Sequence, residues 1–341
     1  RRGGPSGDRP EGMMMSDVLT KSTSKPTIAT IGVLLMTFGS APKPEDVPAY
    51  LASVRGGRPA PDDLVAEFQR RYRVVGGSPL IEITRQQAAV LQTELAHERP
   101  GGPRFVVSIG MRHSPPFIGE AMRELAERGI SEVIAVILSP QYSPYIMSGY
   151  HKAVENACAQ LAAEGKPVKA RVAGAWHLNP HFLDALAERV QEALASFPPD
   201  LRDRVPLLLT SHSLPKRVVD HEPDYLNQLQ ETVRALATRV GLSDDRWQFA
   251  YQSAGHTPEE WLKPDMKDLL PGLRERGHRH VLMVPVQFLS DHLEILYDID
   301  VAAREEAESL GIAFKRIESL NLSPRFIQAL ADVVLGEYDR R

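Results

Sequence analysis

A chain of 341 residues, a quarter of them charged and with a formal net charge of -4, is long enough to bury one large or two medium cores. Its near-neutral balance excludes the basic field that nucleic acid would require, and its single cysteine, Cys158, excludes an internal disulfide framework and any metal held by several thiolates. No apolar run approaches the roughly 18 to 20 residues of a membrane span, so a soluble protein is expected.

In chain order, residues 1–28 read as a disordered leader. Gly, Pro, Ser and charge dominate "RRGGPSGDRPEGMMMSDVLTKSTSKP", which lacks the apolar centre of a secretory signal, and Met13 to Met15 mark a candidate start of translation. Apolar, β-branched runs of strand length follow: "IGVLLMTFG" from Ile31, "RFVVSIGM" from Arg104, "EVIAVILSP" from Glu132 and "VKARVAGA" from Val168. A second set begins at Val205 ("VPLLLTSHS"), Trp247 ("WQFAYQS"), His280 ("HVLMVPVQF") and Ile312 ("IAFKRIESL"). Between them "FIGEAMRELAERG", "DYLNQLQETVRALATRVG" and "DMKDLLPGLRERG" are amphipathic and close at or near glycine, as helices do. Continuous apolar strands alternating with helices predict parallel sheets covered on both faces. The predicted fold is therefore α/β, two Rossmann-like lobes each with a four-stranded parallel sheet flanked by helices. The N-terminal lobe spans 29–175 and the C-terminal lobe 176–324, divided at "AWHLNPHF", and a C-terminal helix over 325–341 packs back across both. Ligands of such sheets bind at the carboxyl ends of the strands, so the residues after each run are the candidates for chemistry.

In the first lobe "SVRGGRP" sets Arg55 and Arg58 in a Gly-rich loop, and "RRYRVVGGSPLIEITRQQ" sets Arg71 and Tyr72 before Gly76, Gly77 and Ser78 at a helix mouth. Guanidinium forks and free N–H groups suit carboxylates, although surface arginines read the same way. "SPQYSPYIMSGYHK" carries Tyr142, Tyr145, Met147 and Tyr150, which either line a planar ligand or pack an ordinary loop. After "VPLLLT", His212 in "SHSLP" either is tied to the backbone or faces the crevice. The absence of G-x-S-x-G argues against a hydrolase. In "SDHLEILYDID", Ser290 and Asp291 form a helix entry, which predicts helix from 291 onward. On that helix His292 and Glu294 lie about 200° apart and cannot share an ion, whereas Asp291, Glu294 and Asp298 share a stripe. Such a stripe is either a solvated acidic face or a site that needs a cation or proton. Asp300 reads as surface or cap, and Cys158 as a small apolar helix residue without a role.

Five segments together, "LLLTSHSLP", "YQSAGHTPEEWLKPDMKDLL", "VPVQFLSDHLEILYDID", "RRYRVVGGSPLIEITRQQA" and "GMRHSPPFIGEAM", resemble the ferrochelatases, which insert ferrous iron into a porphyrin at the end of haem synthesis. The likeness runs from about Ile31 to Leu335, in order. It implies a two-lobed chelatase-like fold with the porphyrin between the lobes. His212 and Glu294 match the residues that hold the incoming iron and take the pyrrole protons. Asp298 extends an acidic path outward, and Ala302 stands where some relatives have a further carboxylate. "MTFGSAPKPEDV", "VRGGRP" and "GMRHSPP" resemble the Gram-positive type, which metallates coproporphyrin III with its four propionates. Arg55, Arg71, Tyr72, Ser78 and Tyr150 are then implied to contact the porphyrin, and His113 to face the ring near the metal. Phe38 stands where several of those enzymes place an iron-ligating tyrosine. A cytoplasmic monomer is expected, with Fe²⁺ as substrate, no permanently bound cofactor and no iron–sulfur cluster. The alternatives are a protoporphyrin IX ferrochelatase, a cobalt chelatase, or a porphyrin or haem carrier without catalysis.

Overall fold

A computed structural model of the chain describes residues 29–255 and 258–340, so the leader expected over 1–28 lies outside the described residues. Strands β1 (Thr30–Thr37), β2 (Arg104–Met111), β3 (Glu132–Ile137) and β4 (Lys169–Val172) form one parallel sheet in the order β2-β1-β3-β4. A second parallel sheet, in the order β6-β5-β7-β8, is built from β5 (Leu207–His212), β6 (Trp247–Gln252), β7 (His280–Pro285) and β8 (Ala313–Arg316).

The unbroken apolar runs are explained by burial on both faces. Along β1, Ile31, Val33 and Leu35 enter one core cluster and Leu34 and Met36 another, because successive strand side chains point to opposite faces. The second sheet repeats the pattern, with Leu207 and Leu209 turned one way and Leu208 the other. The cluster holding Ile31 and Leu35 also holds Leu207, Leu209, Leu282 and Val284, so one continuous apolar layer joins the two sheets.

The helices are α1 (Val47–Val54), α2 (Asp62–Val75), α3 (Leu80–Glu98), α4 (Ile118–Glu127), α5 (Ser148–Ala163), α6 (Pro180–Ala195), α7 (Pro199–Arg202), α8 (Lys216–His221), α9 (Pro223–Val240), α10 (Met266–Glu275), α11 (Arg304–Ser309) and α12 (Pro324–Asp339). Helix α12 lies against α3 and α6, burying Phe326, Ile327, Leu330 and Val334 in the joining layer. Burying a side chain of that size stabilises by about 1.5 to 3 kcal/mol. Helices α4 and α5 cover the outer face of the first sheet. Gly76, at φ 77°, ends α2 in the left-handed conformation that glycine adopts without strain. No helix among the described residues is long and apolar enough to cross a membrane.

One predicted element differs. Residues 290–292 are not helical, and Glu294–Ala303 wind as a π-helix that continues into α11. Asp291 is drawn out of the helical path because its carboxylate accepts from Ser319 Oγ at 2.6 Å and Asn321 Nδ2 at 2.9 Å. Ser290 Oγ accepts from Gln87 Nε2 of α3 at 2.9 Å. Asp300, expected at the surface or as a cap, is instead held by both arms of Arg316.

Candidate active site

Neighbouring parallel strands deliver the two central residues. His212 is the last residue of β5, and β7 runs through Gln287 and Phe288 into the loop before the π-helix. His212 Nε2 lies 3.5 Å from Glu294 Oε2. The ring is turned by its other nitrogen, whose N–H donates to the carbonyl of Ser213. A carbonyl only accepts, so this tautomer follows from the bond and leaves the Nε2 lone pair facing Glu294. A lone pair and a carboxylate this close need a cation between them, either a proton or a metal ion.

His292 also belongs to this centre. Its Nδ1–H donates to Ser290 O at 2.8 Å, and Nε2 reaches to 3.7 Å from the same Glu294 Oε2. The expectation that His292 and Glu294 point apart is corrected here, since it rested on helix at residue 292 and that residue is loop. The two imidazoles flank one oxygen without closing a cage. Among the described residues, the group whose ligand atoms all lie within 4.8 Å of one another is Glu94, His97 and Glu98, on α3. His212 with Glu294 thus offers an ion two protein ligands, the remaining positions staying open.

The electrostatics follow from this placement. Burial alone would depress His212, but the Glu294 carboxylate outweighs it and holds the imidazole above its usual 6.5. Burial pushes Glu294 up, yet His212 and His292 pull harder, and its carboxyl ends well below the usual carboxylate range. The pair therefore favours a single shared proton. Asp298, farther along the π-helix, is raised by burial, with Ser253 and Arg71 opposing and Glu294 adding to the shift. Along the helix, Asp298 is thus raised while Glu294 is lowered, so the two carboxyls bind a proton with different affinity.

Residues from the first lobe form the opposing wall. Phe38, just past β1, is 42% exposed, with the His113 ring 4.4 Å from its own and the Arg112 guanidinium 5.6 Å above it. His113 Nδ1 lies 3.1 Å from Ser53 Oγ. Burial and then Arg112 bring its pKa down to about 4, so it is neutral near pH 7. Arg112 also covers the ring of buried Tyr150 at 5.1 Å. It lies so close to α5 that a Cβ on Gly149 would sit 2.1 Å from its Nη2. Arg55 is exposed, and Arg58 Nε donates to its carbonyl at 3.2 Å. Among the described residues, Arg55, Arg58 and Arg112 form no ion pair with a carboxylate.

Four residues expected to touch a ligand are buried or already paired. Tyr150 is 7% exposed beneath Arg112. Tyr72 is 1% exposed, and its hydroxyl accepts from the Ala41 N–H at 3.2 Å. Ser78 is buried 2.8 Å from Ser40 Oγ. Arg71 is held by Glu67 at 2.8 Å and Asp298 at 3.5 Å and lies over Tyr297. The last three support the wall between α2 and the π-helix, where Leu293 packs with Tyr72, Leu51 and Val47.

Sequence reasoning gave no role to Gln287, Phe288 or Arg112. Gln287 Oε1 accepts the His212 N–H at 3.0 Å, and its Nε2 donates to the Tyr225 hydroxyl. Phe288 stands edge-on to both His212 and His292, at 6.1 and 4.6 Å. The available signal was their position directly after β7 and β2, at the carboxyl ends of the strands.

Comparison with known proteins adds to this geometry. A family model described as Ferrochelatase matches residues 30–338. The chain is 39% identical over 305 residues to a ferrochelatase of Deinococcus radiodurans, covering 89% of this chain and 95% of that one. It is 36% identical to a coproporphyrin III ferrochelatase of a Geobacillus species, covering 89% and 97%. With the corresponding protein of Bacillus subtilis it shares 34% identity over 91% and 98%. Among solved structures, SirB from Bacillus subtilis with Fe³⁺ superposes with a TM-score of 0.53 at 11% identity, covering 90% of this chain and 94% of that one, a likeness of fold.

Proposed function

The chain belongs to the ferrochelatase family and inserts metal into porphyrin in haem biosynthesis, and from that premise we propose coproporphyrin III as its porphyrin, with His212 and Glu294 receiving the iron and the pyrrole protons. The observation that carries the site is the 3.5 Å separation of His212 Nε2 and Glu294 Oε2 at the carboxyl end of the second sheet. Metallation strips water from Fe²⁺ and two N–H protons from the ring, so it needs a basic nitrogen beside an anionic oxygen. In this reading His212 and Glu294 hold Fe²⁺ first; as it passes to the ring nitrogens, one of the two pyrrole protons goes to the freed His212 Nε2 and the other to the freed Glu294 carboxylate, and Asp298 passes them outward in turn. Phe38 and neutral His113 supply apolar and aromatic surface for the ring, Tyr150 lies behind Arg112, and Tyr72, Ser78 and Arg71 act from behind the wall.

The substrate assignment is supported by charge. Coproporphyrin III carries four propionates against two on protoporphyrin IX. Arg112 stands over Phe38, and it and the loop arginines Arg55 and Arg58 have no carboxylate partner among the described residues. The relatives from Geobacillus and Bacillus, matched over nearly their whole length, support the same reading. We also read the enzyme as a cytoplasmic monomer without a resident cofactor. The test is anaerobic incubation with Fe²⁺ and each porphyrin, followed by absorbance. We expect kcat/KM at least about tenfold higher for coproporphyrin III and a loss of about 100-fold in His212→Ala. Equal or reversed preference overturns the substrate, and an active His212→Ala overturns the site.

A further inference from the structure

Arg316, the last residue of β8, lies outside the site described above, yet its side chain is only 12% exposed and its donors are fully engaged. Nε and Nη2 reach the two oxygens of Asp300 at 2.9 and 2.8 Å, a bidentate fork. Nη1 donates to Ile317 O at 2.8 Å and Ser319 Oγ at 3.2 Å, and Nη2 also comes within 3.5 Å of Asp291 Oδ1. Asp291 is fixed from its other side by Ser319 and Asn321, and its own N–H donates to Asn321 Oδ1 at 2.9 Å. Asn321 adopts φ 42°, a left-handed conformation that a non-glycine residue enters only against a cost. Its carbonyl accepts from Gln87 Nε2 at 2.8 Å, so this assembly is also tied to α3 beneath the first sheet.

One guanidinium therefore joins Asp291, three residues before the π-helix, to Asp300 late in it. Glu294 and Asp298 lie between those two fixed points. A ten-residue π-helix is rare, because its i→i+5 pairing is poorer than that of an α-helix. Such a segment left free would tighten toward α winding and turn Glu294 and Asp298 to new directions. We propose that Arg316 is a positioning residue, whose clasp on Asp291 and Asp300 preserves the π winding and thereby aims Glu294 at His212 and Asp298 at Arg71. The inference rests on the reading of Glu294 as the group that receives iron and protons.

The test compares Arg316→Lys, which keeps the charge and loses the fork, with Asp300→Asn, which keeps the shape and weakens the clasp from the other end. For both we expect coproporphyrin KM within about twofold of wild type and kcat for Fe²⁺ insertion lowered about 10- to 100-fold, as for other groups that orient metal-binding residues. Amide exchange over residues 294–303 should rise while that of β5 and β7 stays unchanged. Unchanged kcat in both variants overturns the proposal, and so does a loss shared equally by porphyrin KM and exchange throughout the second lobe, which marks Arg316 as a general brace. Glu294→Gln is assayed in parallel. If it retains full activity, the site reading fails; if it is impaired while both clasp variants are not, only the inference fails.

Discussion

Glu294→Gln replaces a carboxylate 3.5 Å from His212 Nε2 with an amide of the same shape. At that distance the attraction to a protonated imidazole is about 5 kcal/mol at an effective dielectric near 20 and about 1 kcal/mol in water. Side-chain exposures of 28% and 37% draw the value toward the lower figure. This attraction is what holds His212 above 6.5 against burial, so its pKa should fall in the variant. As the proposed base, His212 works only when deprotonated, so the wild-type rate should rise as pH passes upward through its raised pKa. In Glu294→Gln that limb moves to lower pH, and the plateau drops about 100-fold with the loss of the anionic acceptor. The pair also contributes to stability in a defined window. The share from Glu294, whose pKa is lowered, is present above 4.5 and lost as pH falls through its folded value, whereas that from His212, whose pKa is raised, is present below 6.5 and lost as pH rises through its own. The thermal midpoint of wild type should therefore exceed that of the variant most between pH 4.5 and 6.5. The assays are an anaerobic pH–rate profile and an NMR titration of ¹³C-labelled histidine, with His212→Gln supplying the assignment. A His212 midpoint that stays put in Glu294→Gln refutes the coupling, and a plateau within about threefold of wild type refutes the role of the carboxylate.

Arg112→Ala should raise KM for coproporphyrin about tenfold and for protoporphyrin less, with KM for Fe²⁺ unchanged, as loss of a carboxylate contact demands. Gly149→Ala should reproduce that pattern, because its Cβ would meet Arg112 Nη2 at 2.1 Å and displace the guanidinium; steady-state kinetics with both porphyrins check the pair, and a Gly149→Ala enzyme with wild-type KM values would show that Arg112 does not hold the porphyrin from its present position. Phe38→Tyr should place a phenol on the exposed ring beside Arg112, whose cation favours the phenolate. A tyrosinate-to-iron band in the absorbance of the ferric product is the expected signature, and its absence means that ring 38 does not face the metal.

The central strands were legible because they are buried on both faces, which turns the alternation expected of a half-buried strand into an unbroken apolar run such as "GVLLMT" or "VLMVP". His212 was legible as well, since a histidine that closes such a run stands at the end where ligands bind. His292 was hidden for a physical reason. The local signals at Ser290 and Asp291 favour a helix start, but long-range partners outcompete them: Gln87 takes the serine hydroxyl, and Ser319 and Asn321 take the carboxylate. Helical periodicity then gave His292 and Glu294 the wrong relative direction. Tyr72 and Ser78, expected at the porphyrin, are instead buried. Their spacing put them near the right wall, but whether a hydroxyl faces a ligand or a backbone amide depends on residues 40 and 41 folding beside them.

The missed histidine changes what the site can do. A structural metal site closes three or four ligands around its ion and retains it, whereas an enzyme that passes iron to a porphyrin must release it to four ring nitrogens. Here one carboxylate oxygen serves two imidazole nitrogens, at 3.5 and 3.7 Å, and the three groups do not converge on one point. An ion bound on the His292 side would draw on the same oxygen that holds one on the His212 side, so each occupancy would weaken the other by the same factor. On the proposed reading, competition for Glu294 keeps the hold on iron loose, and the loose hold lets a flat ligand facing His212 take it. Asp291, just before the π-helix, and Asp300 within it are held by Arg316 for the complementary reason, because a carboxylate that must serve two partners weakly has to stay within reach of both.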